Sequence, residues 1–207
     1  MAISANDVAR LREETGAGMM AAKKALEEAD GDLDAAKELL RKQGALKAAK
    51  RAANATAEGL VYSYIHSTGK IGVMVELQCE TDFVARNEMF KELAHQLAMH
   101  IAAADPEYLD SASVPSDVRA RMQKEFEEEA ASGGKPAQVV AKIVEGKIEK
   151  WESERVLLKQ VFVMDEEKTI ALVLSDAVAT LGENIRLTRF ARFQISGGMS
   201  ACEASRS

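Results

Sequence analysis

The chain has 207 residues, 47% of them apolar and 29% charged, which suits one medium domain beside a small one. A formal net charge of −6 gives no bulk reason to expect nucleic acid or a membrane surface as a partner, and no apolar run approaches the ~20 residues that span a bilayer. Cys79 and Cys202 are too few for a disulfide framework, and Ser4, Asn6, Asp7 and Arg10 stand where a secretory leader would be apolar, so a cytoplasmic location is expected.

Residues 4–43 predict three short helices. Ser4 with Asp7 forms a capping-box pattern ahead of Val8 and Leu11. Gly16-Ala17-Gly18 ends that helix, and Met19 and Met20 open a second one backed by Ala22, Ala25, Leu26 and Ala29. Asp30-Gly31-Asp32 supplies a turn and an N-cap, after which Ala35, Ala36, Leu39 and Leu40 form the third apolar stripe. A unit of about 40 residues lies near the lower limit for a stable core and gains from docking. Residues 44–58, with Lys47, Lys50 and Arg51, read either as helix or as a flexible tether, and a tether is the expectation.

From Gly59 the period becomes two. Leu60, Tyr62, Tyr64 and His66 alternate with Val61, Ser63 and Ile65, and Ser67-Thr68-Gly69-Lys70 turns a hairpin. Ile71, Val73, Val75, Leu77 and Cys79 then share one strand face, opposite Met74, Glu76, Gln78 and Glu80. Phe90, Leu93, Ala94, Leu97, Ala98 and Ile101 make a helical stripe that stops before Asp105-Pro106. A charged helix is expected over 116–131, a break at Gly133-Gly134-Lys135-Pro136, and an amphipathic helix from Gln138 to Trp151. Val156–Val163 reads as an extended apolar run, and Ile170–Leu181 as a last helix with Gly182 past its end. Asn184–Ile195 alternates again, with Ile185, Leu187, Ala191, Phe193 and Ile195 expected inward and Arg186, Arg189 and Arg192 as sheet-surface charges or, less favoured, RNA contacts.

Together these predict an α+β protein: a small three-helix domain (1–43), a tether (44–58), a core of antiparallel three-stranded sheet packed with helices (59–195), and a disordered tail (196–207). One junction is out of character. In Cys79-Glu80-Thr81-Asp82-Phe83-Val84, where a strand gives way to a helix, a phenylalanine sits beside an aspartate at a corner that usually takes small polar residues. Such a pair suits a wedge pushed into a partner. Two plainer readings remain: Phe83 stapled into its own core, and Asp82 as an N-cap. Nine methionines against one tryptophan point to adaptable contact surfaces. His95 and His100 are five apart, a poor spacing for shared ligation, so no metal site is expected. The nucleophile-elbow and phosphate-loop motifs of hydrolases are absent from the sequence.

Thr15-Gly16-Ala17-Gly18-Met19-Met20, followed by Lys23-Lys24-Ala25-Leu26, resembles the N-terminal signature of the bacterial elongation factor Ts family. Thr81-Asp82-Phe83-Val84-Ala85 with Asn87-Glu88 resembles its second signature, and Ala98-Met99-His100-Ile101-Ala102 and Gly182-Glu183-Asn184-Ile185 fit as well, so the likeness covers about residues 3–195. It implies a ubiquitin-associated-like N-terminal domain and a guanine-nucleotide exchange factor that binds elongation factor Tu, GDP-bound and nucleotide-free. Such a factor has no catalysis or cofactor of its own. On the same ground Phe83 would enter an apolar slot in Tu's nucleotide domain and Asp82 would disturb groups around its magnesium, with Thr81 and Val84 fixing the turn. Arg12, Met19 and Met20 would give a second contact, although local packing is an open alternative for the methionines, and His66 a further one. The length is similar to the short form of the family, which implies a homodimer. The tail after Ile195, with Met199 and Cys202, departs from the family pattern. The rival reading is a non-catalytic adaptor or chaperone-like protein of the translation apparatus.

Overall fold

The computed structural model describes residues 3–131, 136–195 and 200–203. Its helices are α1 (Ala5–Thr15), α2 (Met19–Glu28), α3 (Leu33–Arg51), α4 (Asp82–Ala85), α5 (Glu88–Ala104), α6 (Ser116–Ala131), α7 (Ala137–Arg155) and α8 (Ile170–Leu181). Its strands are β1 (Glu58–Ile65), β2 (Ile71–Cys79), β3 (Val161–Phe162), β4 (Asp165–Thr169), β5 (Arg186–Gln194) and β6 (Ser200–Glu203). The fold is α+β, with an N-terminal helical region and an antiparallel sheet built on β1, β2 and β5. It divides into two compact units, each formed from several stretches of chain.

The first unit comprises Met1–Gly59, Gln78–Phe90 and Leu172–Arg186. Ser4 caps α1 through the full capping box with Asp7, and Gly16 ends it in the left-handed conformation at φ 67°. The Asp32 carboxylate caps α3 by accepting from the Asp34 and Ala35 N–H groups. Val8, Leu11, Ala22, Ala25, Leu26 and Ala36 form the small core these helices share. The expected tether is helical as far as Arg51, because α3 continues without a break. The reason is visible at Gly44, where an added Cβ would sit 3.3 Å from the Ala179 side chain. The residue that would weaken an isolated helix here permits close packing of α3 on α8. The stretch is tied at its two ends, by Gly44 against Ala179 and by the Arg51–Glu80 ion pair, while most of the residues between are exposed.

The second unit comprises Leu60–Leu77, Lys91–Ala171 and Leu187–Ser207. The sheet order is β1-β2-β5-β6. The hairpin closes through His66 N–H to the Ile71 carbonyl at 2.9 Å. The alternation in β2 places Val73, Val75, Leu77 and Cys79 in the interior as predicted. Leu93, Ala94, Leu97, Ala98 and Ile101 of α5 are all buried, as their helical spacing predicts. Val156–Val163 is not simply extended: Val156 bridges to Tyr108, Leu157–Lys159 make one 3₁₀ turn, and β3 pairs antiparallel with β4, a strand without a clear sequence signal. The tail departs from expectation at Ser200–Glu203, which pairs antiparallel with β5 through Phe190 opposite Cys202. The rest of 196–207, and the break at 133–135, lie outside the described residues.

β5 corrects the reading of its faces. Leu187 is inward, but the buried side then changes phase, so that Phe190 and Arg192 are interior while Phe193 and Ile195 are 50% and 66% exposed. Arg192 is therefore no surface charge. Its Nε and Nη2 donate to the Ala102 carbonyl at 3.4 and 3.2 Å, and Nη1 pairs with Asp105 at 3.0 Å. The cation sits at the C-terminal end of α5, where carbonyls lack intrahelical partners and the dipole favours positive charge. Burial is tolerable because the fork is satisfied.

His100 is fully buried on the same helix. Its Nε2–H donates to Gln160 Oε1 at 3.0 Å and its Nδ1 accepts from the Val163 N–H at 3.3 Å, an arrangement that only the neutral ring completes. Burial holds its pKa below the ordinary histidine value, against the opposing pull of the Gln160 bond. A base depressed in the folded state stabilises fully above its unfolded pKa of about 6.5 and less as pH falls below it. The melting temperature should therefore decline on acidification from about pH 6.5 to about 5, and His100→Asn, though less stable at pH 8, should show a shallower decline in calorimetry.

Candidate functional site

The first unit carries an exposed corner where β2 ends. Thr81 leaves the strand in extended geometry (φ −129°, ψ 155°) and caps the single turn α4, its Oγ1 accepting from the Val84 N–H at 3.5 Å. Thr81, not Asp82, is thus the N-cap. Asp82 occupies the first helical position and pairs with Arg86 at 3.1 Å. Phe83 projects from this turn 82% exposed, which excludes the own-core reading. Val84 is half-buried beneath it. An apolar ring left in water forgoes about 1.5–3 kcal/mol of burial, so its position needs a reason other than stability.

The backbone under the ring is held by carboxylates from two directions. Glu183 Oε2 accepts from the N–H groups of Glu80 and Thr81 at 3.1 and 3.0 Å, and its Oε1 accepts the Thr81 hydroxyl at 2.6 Å. Glu80 answers in kind: Oε1 accepts the Asn184 N–H at 2.6 Å and Arg51 Nη1 at 3.1 Å, and Oε2 accepts Asn54 Nδ2 at 3.0 Å. These donors, the Asn184 N–H first, hold the Glu80 carboxyl below the usual carboxylate range. Asn184 Nδ2 also reaches the Asn54 carbonyl at 2.8 Å. The thiol of Cys79, fully buried behind the corner, donates to the Thr81 carbonyl at 3.2 Å, and burial pushes it up to about 11. None of these braces was read from the sequence as part of the site. The signal available was the pair Glu80 and Glu183-Asn184, polar residues at element ends where apolar spacing lapses.

Arg12 lies in the last turn of α1 and Met19 and Met20 open α2, all in the same unit. All are exposed, Met19 to 58% and Met20 to 77%, so local packing does not account for the methionines. Arg12 also accepts the Gly16 N–H at its carbonyl, closing that turn at 2.8 Å.

His66 belongs to the second unit, half-buried, with Nδ1 3.2 Å from the Tyr64 hydroxyl. Sequence reasoning missed a patch in this unit. Val61, Ile65, Met74, Phe193 and Ile195 are 47–66% exposed, and a depression there is lined by Ile65, Gly72, Met74, Phe193 and Ile195. Gly72 permits it, since a Cβ there would lie 3.0 Å from Ile65 Cδ1. Apolar residues on both faces of β1 were the available signal. Among the described residues there is no group of three or more His, Cys, Asp or Glu disposed to hold a metal, and no helix is long and apolar enough to cross a membrane.

A braced corner carries an outward aromatic ring, and a second turn in the same unit leaves two methionines exposed. Residues 7–195 match the family model described as Elongation factor TS, and the chain belongs to that family. The Elongation factor Ts of Oleidesulfovibrio alaskensis is 55% identical over 94% of this chain and 98% of its own length. Those of Fervidobacterium nodosum (51%; 94% and 99%) and Moorella thermoacetica (47%; 97% and 99%) are similar throughout.

The exposure of Phe83 sets an expectation for stability. Phe83→Ala should leave the melting temperature within about 2 °C of wild type, because a surface truncation costs less than about 0.5 kcal/mol. Thr81→Ala should lower it by about 2–4 °C, as loss of an N-cap costs about 1 kcal/mol. Scanning calorimetry of the two variants checks both.

Proposed function

We propose that the chain is a guanine-nucleotide exchange factor, which binds elongation factor Tu carrying GDP, disturbs magnesium and phosphate coordination there, and leaves Tu free to take GTP during elongation. The observation that carries this reading is the 82% exposure of Phe83 on a braced corner, in a chain of the elongation factor Ts family.

A GTPase holds GDP by backbone donors, a lysine and Mg²⁺, and Mg²⁺ demands near-octahedral geometry at about 2.1 Å. A small displacement of one ligand-bearing element is therefore enough to weaken it. The factor needs only to bind the emptied state more tightly than the loaded one. Acceleration of release by about 10³–10⁴ requires about 4–5.5 kcal/mol off the barrier. Burial of the Phe83 ring in an apolar slot of Tu supplies about 1.5–3 kcal/mol. The remainder comes from Asp82 near the switch and magnesium region and from the grip of Arg12, Met19 and Met20. His66 adds a further contact. The chain performs no bond-making step itself and works in the cytoplasm with Tu.

Function as a homodimer is part of the same reading. The exposed apolar patch of Val61, Ile65, Met74, Phe193 and Ile195 supports a second copy as its cover. Ile65→Lys with Phe193→Glu should halve the mass measured by sedimentation equilibrium.

Release of a fluorescent GDP from purified Tu tests the central statement. Wild type should accelerate release at least 10³-fold at saturation, and Phe83→Ala should cut that acceleration at least tenfold while Tu is still bound. Binding with an unchanged release rate would support the adaptor reading in its place.

A further inference from the structure

We propose that Glu183 is a positioning residue for exchange: its carboxylate, by accepting hydrogen bonds from the Thr81 hydroxyl and from the Glu80 and Thr81 N–H groups, holds the corner that presents Phe83. This deepens the exchange reading and rests on it. Three donors converge on one carboxylate at 2.6–3.1 Å, all from the two residues that precede α4. A turn of four residues cannot hold itself, since helix nucleation is unfavourable in isolation. Thr81 has one hydroxyl proton. With that proton directed at Glu183, the oxygen lone pairs face the Val84 N–H, the geometry an N-cap needs. The carboxylate thereby orders the cap, the cap orders the turn, and the turn aims the ring. Glu80 closes the loop by binding the Asn184 N–H at 2.6 Å, which anchors the residue next to Glu183.

In a wedge mechanism the aimed conformer is the competent one. Lowering its population lowers the limiting release rate in proportion. Initial capture of Tu through Arg12, Met19 and Met20 does not depend on it. Glu183→Ala should therefore lower the maximal GDP release rate at least tenfold and move the half-saturating concentration by less than about twofold. Glu183→Gln should fall between, because its one remaining oxygen can serve the two N–H groups but no longer fixes the hydroxyl proton. In a Phe83→Ala background Glu183→Ala should add almost nothing, since the two act as one unit. A readout independent of Tu is amide hydrogen exchange of the free protein, in which Glu183→Ala should speed exchange at Glu80, Thr81 and Val84 at least tenfold and leave α5 unchanged.

Unchanged protection at those three amides overturns the proposal, as does full additivity with Phe83→Ala. Should wild type itself fail to release GDP from Tu, the exchange reading falls, while the amide measurement still decides whether Glu183 holds the corner.

Discussion

Two carboxylates that each bind the backbone beside the other set the character of this molecule. Glu183 takes N–H groups from the end of β2, and Glu80, at that end, takes the N–H next to Glu183. Neither is placed to gain much from exposed ion pairing, which is worth little in water. Their value lies in satisfying backbone donors that the end of a strand and the start of a helix leave open. The turn they frame is too short to persist alone. Rigidity beneath and exposure above are two aspects of one arrangement.

The same economy recurs in the second unit. Arg192 completes the end of α5, and His100 with Gln160 completes the hydrogen bonding of the segment around Val163. Among the described residues, each buried side-chain nitrogen or oxygen meets a partner. Among the apolar groups left outside are Phe83, Met19 and Met20 in one unit and Ile65, Phe193 and Ile195 in the other. Partition of this kind separates what holds the chain together from what it offers to others.

Much of this was legible from residue order. Period two in β2 and period 3.6 in α5 were legible because one face of each is buried from Val73 to Cys79 and from Phe90 to Ile101, and the caps at Ser4 and Asp32 announce themselves by side-chain chemistry. What failed depended on distant partners. Residues 44–58 look like a tether until Ala179 lies against Gly44. Arg192 looks like a surface charge until the Ala102 carbonyl needs a donor, and the phase change in β5 hides Phe190 in place of Phe193. At the corner the ring and its acidic neighbour stood out as misfits, but the brace did not. Hydrogen bonds between residues about a hundred positions apart leave no local period to detect.

The continuity of α3 has one more consequence. Nineteen residues at 1.5 Å make a rod of about 28 Å, its far end fastened to Glu80 by Arg51. The link from the three-helix core to the aromatic corner is thus a ruler, not a statistical coil. Insertion of one residue into such a ruler changes its length by little but turns everything beyond it by about 100°, so that only additions close to whole turns preserve the aim. The attachment of the corner to α3 therefore depends on helical phase more than on length.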